Sequence, residues 1–160
     1  MSFSWELRAG CAEGAEGAAG GPKPSTPHRR RSWVMMRVAS RMVDLGMACD
    51  NGPPPKFPLW AVYGVSDFDV LGRPVGGSAE AYEAELRQIL SWHGDPNRGG
   101  IPLHKLTTPL GWYVTPAECR AAVQAYDKAR ANGIRHPRIF GTDLVPFLRI
   151  AADGEGFEVH

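Results

Sequence analysis

Cysteine is sparse in this chain, and what little there is falls in no useful pattern. Cys11, Cys49 and Cys119 are an odd number, and no two stand at a CxxC spacing. That excludes a disulfide-stapled scaffold and gives no zinc or thioredoxin-like motif. Long apolar runs are also missing. No 18 consecutive apolar residues occur, so no transmembrane helix is predicted, and Met1–Gly10 has no apolar segment of the secretory kind. These absences predict a reduced, cytoplasmic setting. None of the five histidines pairs with another at the four-residue helical spacing that binds zinc. No metal site and no cofactor are expected.

Net charge is only +1 over 160 residues, so electrostatic attraction to a polyanion would have to reside on a local patch. Residues 1–42 hold 7 Lys/Arg against 3 Asp/Glu, and residues 43–160 hold 11 against 14. The basic excess therefore sits at the front. Residues 1–32 are rich in Gly, Ala, Glu, Pro and Ser, a composition that buries too little apolar surface to offset backbone ordering at about 1–2 kcal/mol per residue. This leader is expected to be disordered and dispensable, with a chain starting at Met47 folding as well as the whole. Its composition is also that of an extended reading frame, since Met35, Met36, Met42 and Met47 are alternative starts. An amphipathic helix is expected over 33–46, with Met35, Val38, Met42 and Leu45 on one face and Gly46 ending it. Prolines make 47–56 a stiff linker. The body is expected over 57–160.

Within that body the fold class expected is α+β: about three helices packed on a small, mostly antiparallel sheet. Leu59–Val65 is short, apolar and partly β-branched, and predicts a buried strand. Ser78 starts a helix whose inner face is Tyr82, Leu86, Ile89 and Leu90, with Gly94 ending it. Ile101–Leu106 and Gly111–Val114 predict two short strands of a hairpin. Thr115, Pro116 and Glu118 form a capping-box pattern opening a helix that buries Cys119, Ala122, Val123, Tyr126 and Ala129. Gly133 ends it. Ile134–Phe140 could hold a short strand. Thr142 or Asp143 caps a final helix, with Pro146 in its first turn, and Phe157–His160 reads as a terminal strand.

Chemistry-bearing residues are few. His104 lies in an apolar stretch and could serve as a general base with a carboxylate such as Asp95 or Asp67. Against this, the sequence names no partner for it, and an outward imidazole beside Lys105 accounts for the pattern equally. Cys119 sits in the first turn of a helix, where a thiol pKa falls, but also on the apolar stripe, which favours a structural thiol. Gly94–Gly100 has the parts of an anion-binding loop without the Lys-Ser/Thr ending, and an ordinary surface turn explains it. Arg29, Arg30 and Arg31 with Trp33 could hold phosphates while the indole stacks on a base; a solubilising tail accounts for them too. Trp112 and Tyr113 are adjacent on a strand, so one is expected to be exposed beside His104 and Lys105 as a binding surface. The reading that follows is a small, non-catalytic intracellular binding or protein-interaction module working through the Ile101–Val114 region. The alternatives are a small enzyme using His104 and a nucleic-acid-associated protein using the basic arm.

Overall fold

The structure is a computed structural model of the chain, and it describes residues 2–7, 28–70, 72–93, 95, 97–108 and 110–160. In chain order, strands β1 (Ser2–Leu7) and β2 (His28–Arg31) lead into helix α1 (Ser32–Asp44) and strand β3 (Ala48–Cys49). A 3-10 turn at Trp60–Tyr63, the hairpin strands β4 (Asp67–Phe68) and β5 (Pro74–Val75) and helix α2 (Ala79–Leu90) come next. They are followed by β6 (Ile101–Pro102), α3 (Leu103–Thr107), β7 (Trp112–Val114) and α4 (Pro116–Ala131). A π-helical turn at Phe140–Leu144 then runs into α5 (Val145–Asp153), and β8 (Phe157–Val159) completes the order. The fold is α+β, helices on a small antiparallel sheet, as composition and pattern predict. It divides into two compact units: residues 1–52 with 94–160, and residues 53–93.

The larger unit is built on a four-stranded sheet in the order β2-β1-β8-β7, with every pair antiparallel. Trp5 lies opposite Val159, which lies opposite Trp112; Leu7 lies opposite Phe157, which lies opposite Val114. In these rows Trp5, Val159, Trp112, Phe157 and Val114 are all buried, so one face of the sheet is core. Glu6, Glu158 and Tyr113 form the alternate row. The Trp5 ring centroid lies 5.0 Å from Phe157 and 5.8 Å from Phe147 of α5, and the two phenylalanines are 5.1 Å apart. This aromatic trio fixes α5 to the sheet. α5 in turn packs along α4, whose buried face is Cys119, Ala122, Tyr126 and Ala129.

Two stretches of the leader, Ser2–Leu7 and His28–Arg31, are an internal strand and an edge strand of the sheet. Residues 8–27 lie outside the described residues. Phe3, Trp5 and Leu7 alternate with Ser4 and Glu6, a strand pattern six residues long that the adjoining Ala/Glu/Gly tract outweighs in composition. α1 follows the expected helix, with Met42 and Leu45 buried. Gly46, at φ 73°, ends it in a Schellman motif: its amide donates to Val43, and that of Met47 donates to Met42. Gly133 ends α4 the same way, with bonds to Arg130 and from Ile134 to Ala129.

Three expected strands take other forms. Leu59–Val65 is a 3-10 turn, because Gly64 adopts a left-handed conformation and local bonds from Gly64 to Ala61 and from Val65 to Trp60 close it. Ile101–Leu106 is strand only over Ile101–Pro102, which pairs in parallel with β3; the remainder is α3. The expected Ile101–Val114 hairpin is accordingly absent, and β7 pairs with β8 instead. Ile134–Phe140 holds no strand. The final helix opens through the π-helical turn, inside which Thr142 and Asp143 lie, while Pro146 does sit in the first turn of α5. Among the described residues, no helix is long and apolar enough to cross a membrane.

In the smaller unit, α2 begins after Ser78, which makes no side-chain cap bond, and it buries Tyr82 and Ile89. Gly94, its expected terminator, lies outside the described residues. Val65 is the third large apolar residue buried in this unit. The Tyr63 hydroxyl donates to Glu85, and Tyr63 and Phe68 both meet the Tyr82 ring edge-on.

Candidate functional site

Ionisable chemistry in the larger unit concentrates where α3, β7 and the start of α4 meet. Thr115 and Glu118 form the capping box that the sequence predicts. The Glu118 amide donates to Thr115 Oγ1 at 3.2 Å, and the Thr115 amide donates to Glu118 Oε2 at 2.7 Å. The Glu118 carboxylate also receives Lys105, whose Nζ lies 2.8 Å from Oε1 and 3.1 Å from Oε2. The same ammonium donates to the Tyr113 carbonyl at 2.8 Å. Lys105 is 0% exposed and Glu118 11%. Burial pulls the lysine pKa below its ordinary value, and the Glu118 carboxylate opposes that shift. The ammonium thus ties a helix start to a carbonyl of β7, the edge strand of the sheet.

Lys105 is therefore not part of an exposed binding surface, which corrects the expectation from sequence. Its position on α3 puts it inward. Trp112 is fully buried as well, and its indole donates to Thr108 Oγ1 at 2.9 Å. Tyr113 is half-buried, with its hydroxyl bonded to the Glu155 carbonyl at 3.0 Å.

His104 stands edge-on to Trp112, with ring centroids 4.6 Å apart. Burial first, and Lys105 second, lower its pKa to about 4. A carboxylate partner would act in the opposite sense. Asp95 accepts from the Asn97 amide at 2.9 Å and lies 4.0 Å from Arg98, while Asp67 belongs to the smaller unit and accepts from the Phe68 amide at 2.8 Å. The structure brings His104 together with Trp112 and Lys105. The contact described for each acid is with its own loop.

A pH dependence follows. Unfolded His104 takes up a proton near pH 6.5 and folded His104 only near 4, so the unfolded state binds more protons between those values. Stability is expected to fall as pH drops through that window, by on the order of 1 kcal/mol once partial exposure is discounted. Urea melts from pH 7 to 4.5 check this: His104→Phe should lose less stability than the parent. An equal loss would remove His104 as the cause.

Cys119 is fully buried on α4, consistent with a structural thiol. Cys49 is half-buried, 3.2 Å from Asn51 Oδ1, and near Arg98 and Glu118. Burial, the largest influence, pushes its thiol up, which works against a thiolate. In the expected anion-binding loop, Gly94 and Pro96 lie outside the described residues, and Arg98 donates to the Asp50 carbonyl. Arg29, Arg30 and Arg31 lie in β2 and Trp33 in α1; their side chains are outside what the structure describes. Among the described residues, no group of three or more His, Cys, Asp or Glu is placed to hold a metal ion.

What sequence reasoning missed is the surface of the smaller unit. Ten large apolar side chains are exposed among the described residues, and six of them, Leu59, Trp60, Val62, Phe68, Val70 and Val75, fall between positions 59 and 75. Leu59 is 69% exposed and Val62 76%. The signal was present as an uncharged run from Phe57 to Ser66, but read as a buried strand. Comparison with family models, curated proteins and solved structures finds no match to the chain.

Proposed function

We propose that the chain is a small intracellular, non-catalytic protein-interaction module, and that it docks its partner on the apolar surface of the 53–93 unit. The observation that carries this reading is the concentration of exposed large apolar side chains between Leu59 and Val75. Scattered apolar residues on a surface need no explanation, whereas a dense set including a tryptophan is the composition of a docking site. The working surface is thus moved from Ile101–Val114, where Lys105 and Trp112 are buried, to the smaller unit. The enzyme reading has less support, because burial and Lys105 lower His104 to about 4.

Affinity capture with the parent chain and with Trp60→Ser/Val62→Ser tests the reading. Both side chains are exposed, so the variant should keep the parent's circular dichroism and melting temperature. A protein captured by the parent should rebind as a purified component, with affinity at least about tenfold weaker for the variant. Purified partners that bind parent and variant equally would sink the proposal.

A further inference from the structure

We infer that the groove between α4 and α5 binds a small free α-amino acid with an apolar side chain. The groove lies within the larger unit, and its test does not depend on the docking reading.

The two helices build it with one spacing. Arg120, Val123 and Gln124 stand at i, i+3 and i+4 on α4, and Arg149, Ala152 and Asp153 repeat that spacing on α5. Together they line an open cavity of about 290 Å³. Arg120 meets Ala152 while Arg149 meets Asp127, so the helices run antiparallel and Arg120 lies at the Asp153 end. The volume is near the lower end of the ~300–1,000 Å³ common to ligand pockets, which calls for a small ligand.

Charge then selects its chemistry. Arg149 is paired with Asp127 at 3.1 Å. Arg120 Nη1 donates to the Ala152 carbonyl at 2.6 Å, which occupies one donor of a guanidinium that carries five. Asp153 lines the same cavity, and none of the described hydrogen bonds or ion pairs joins it to Arg120. A cation and an anion thus line one hollow without cancelling each other. Ala152 is buried and Val123 half-buried, so the apolar pair lies deeper than the exposed polar side chains around it. A simple anion would be repelled by Asp153, and a simple cation by Arg120. A zwitterion satisfies both: its carboxylate pairs with the planar guanidinium, its ammonium with Asp153, and its side chain covers Val123 and Ala152.

NMR amide spectra of the full chain test this with three probes. These are L-leucine, 4-methylpentanoate, which lacks the amino group, and 3-methylbutylamine, which lacks the carboxylate. L-Leucine should shift the amides of residues 120–124 and 149–153 saturably. Each truncated probe should bind at least about tenfold more weakly, because it loses a charge-assisted hydrogen bond. Asp153→Asn, at an exposed position, should keep the parent's melting temperature and weaken L-leucine by a similar factor. Arg120→Gln should weaken it too, and if that variant fails to fold, Asp153→Asn decides alone. No saturable shift up to tens of millimolar L-leucine, or parent-like binding by Asp153→Asn, overturns the inference. So does 4-methylpentanoate binding as tightly as L-leucine, which would make the groove a carboxylate site on Arg120 alone.

Discussion

Trp5→Ala is expected to destabilise the larger unit by about 3–5 kcal/mol, a large part of the ~5–15 kcal/mol that holds a domain together. Trp5 is 1% exposed, lies opposite Val159 on an internal strand and touches Phe147 and Phe157. Truncating it empties a large volume between sheet and α5, and rings on both sides lose their packing. Trp5→Phe should cost much less, because an aromatic ring still meets both phenylalanines. Deleting residues 1–7 should be more damaging than either substitution, since β2 and β8 both lose their shared neighbour. Chemical unfolding of the three variants checks the order. If the deletion melts like the parent, β1 is not part of the core.

Lys105→Met should cost a comparable amount, about 3–5 kcal/mol, for a different reason. It leaves the Glu118 carboxylate without its ammonium in a nearly closed site, and the Tyr113 carbonyl without this donor. The damage is mostly the remaining charge. Lys105→Met/Glu118→Gln should therefore be more stable than Lys105→Met alone, because glutamine is neutral and can still reach the Thr115 amide. Thr115→Ala, which removes only the hydroxyl cap, should cost about 1 kcal/mol. A double-mutant cycle on positions 105 and 118 reads the coupling directly. Coupling near zero would mean that the buried pair contributes nothing beyond packing.

These two sites mark what was legible in the sequence and what was not. The Thr115–Glu118 box, the buried stripe through Cys119 and Tyr126, and the glycine ends at 46 and 133 are all settled by neighbours within five residues, so local pattern finds them. Lys105 meets Glu118 from 13 positions away, and its burial depends on α3 being helical, which five residues beside a proline do not announce. Trp5 was hidden by averaging: six alternating residues lie against a long Ala/Glu/Gly tract. Leu59–Val65 shows the converse error. Apolar character there predicts burial, yet the left-handed Gly64 curls the run into a turn in which Leu59, Trp60 and Val62 face water while Val65 stays buried. The proposed docking rests on that exposed run, and hydropathy alone cannot distinguish an inner strand from an exposed apolar turn.

The pairing of Trp5 with Val159 also bears on the order in which the chain takes shape. β1 and β2 form a hairpin near the front of the sequence, but β7 joins them only through β8, at residues 157–159. On the ribosome, Trp5 has no second neighbouring strand until all the residues between it and Val159 have been synthesised. Contacts separated so widely form after the entropy of closing a long loop has been met, which slows folding relative to a helical chain of equal length. During that interval the inner face of the hairpin is open to other chains. Chaperone demand should therefore be set by the time between making the first strand and making the eighth.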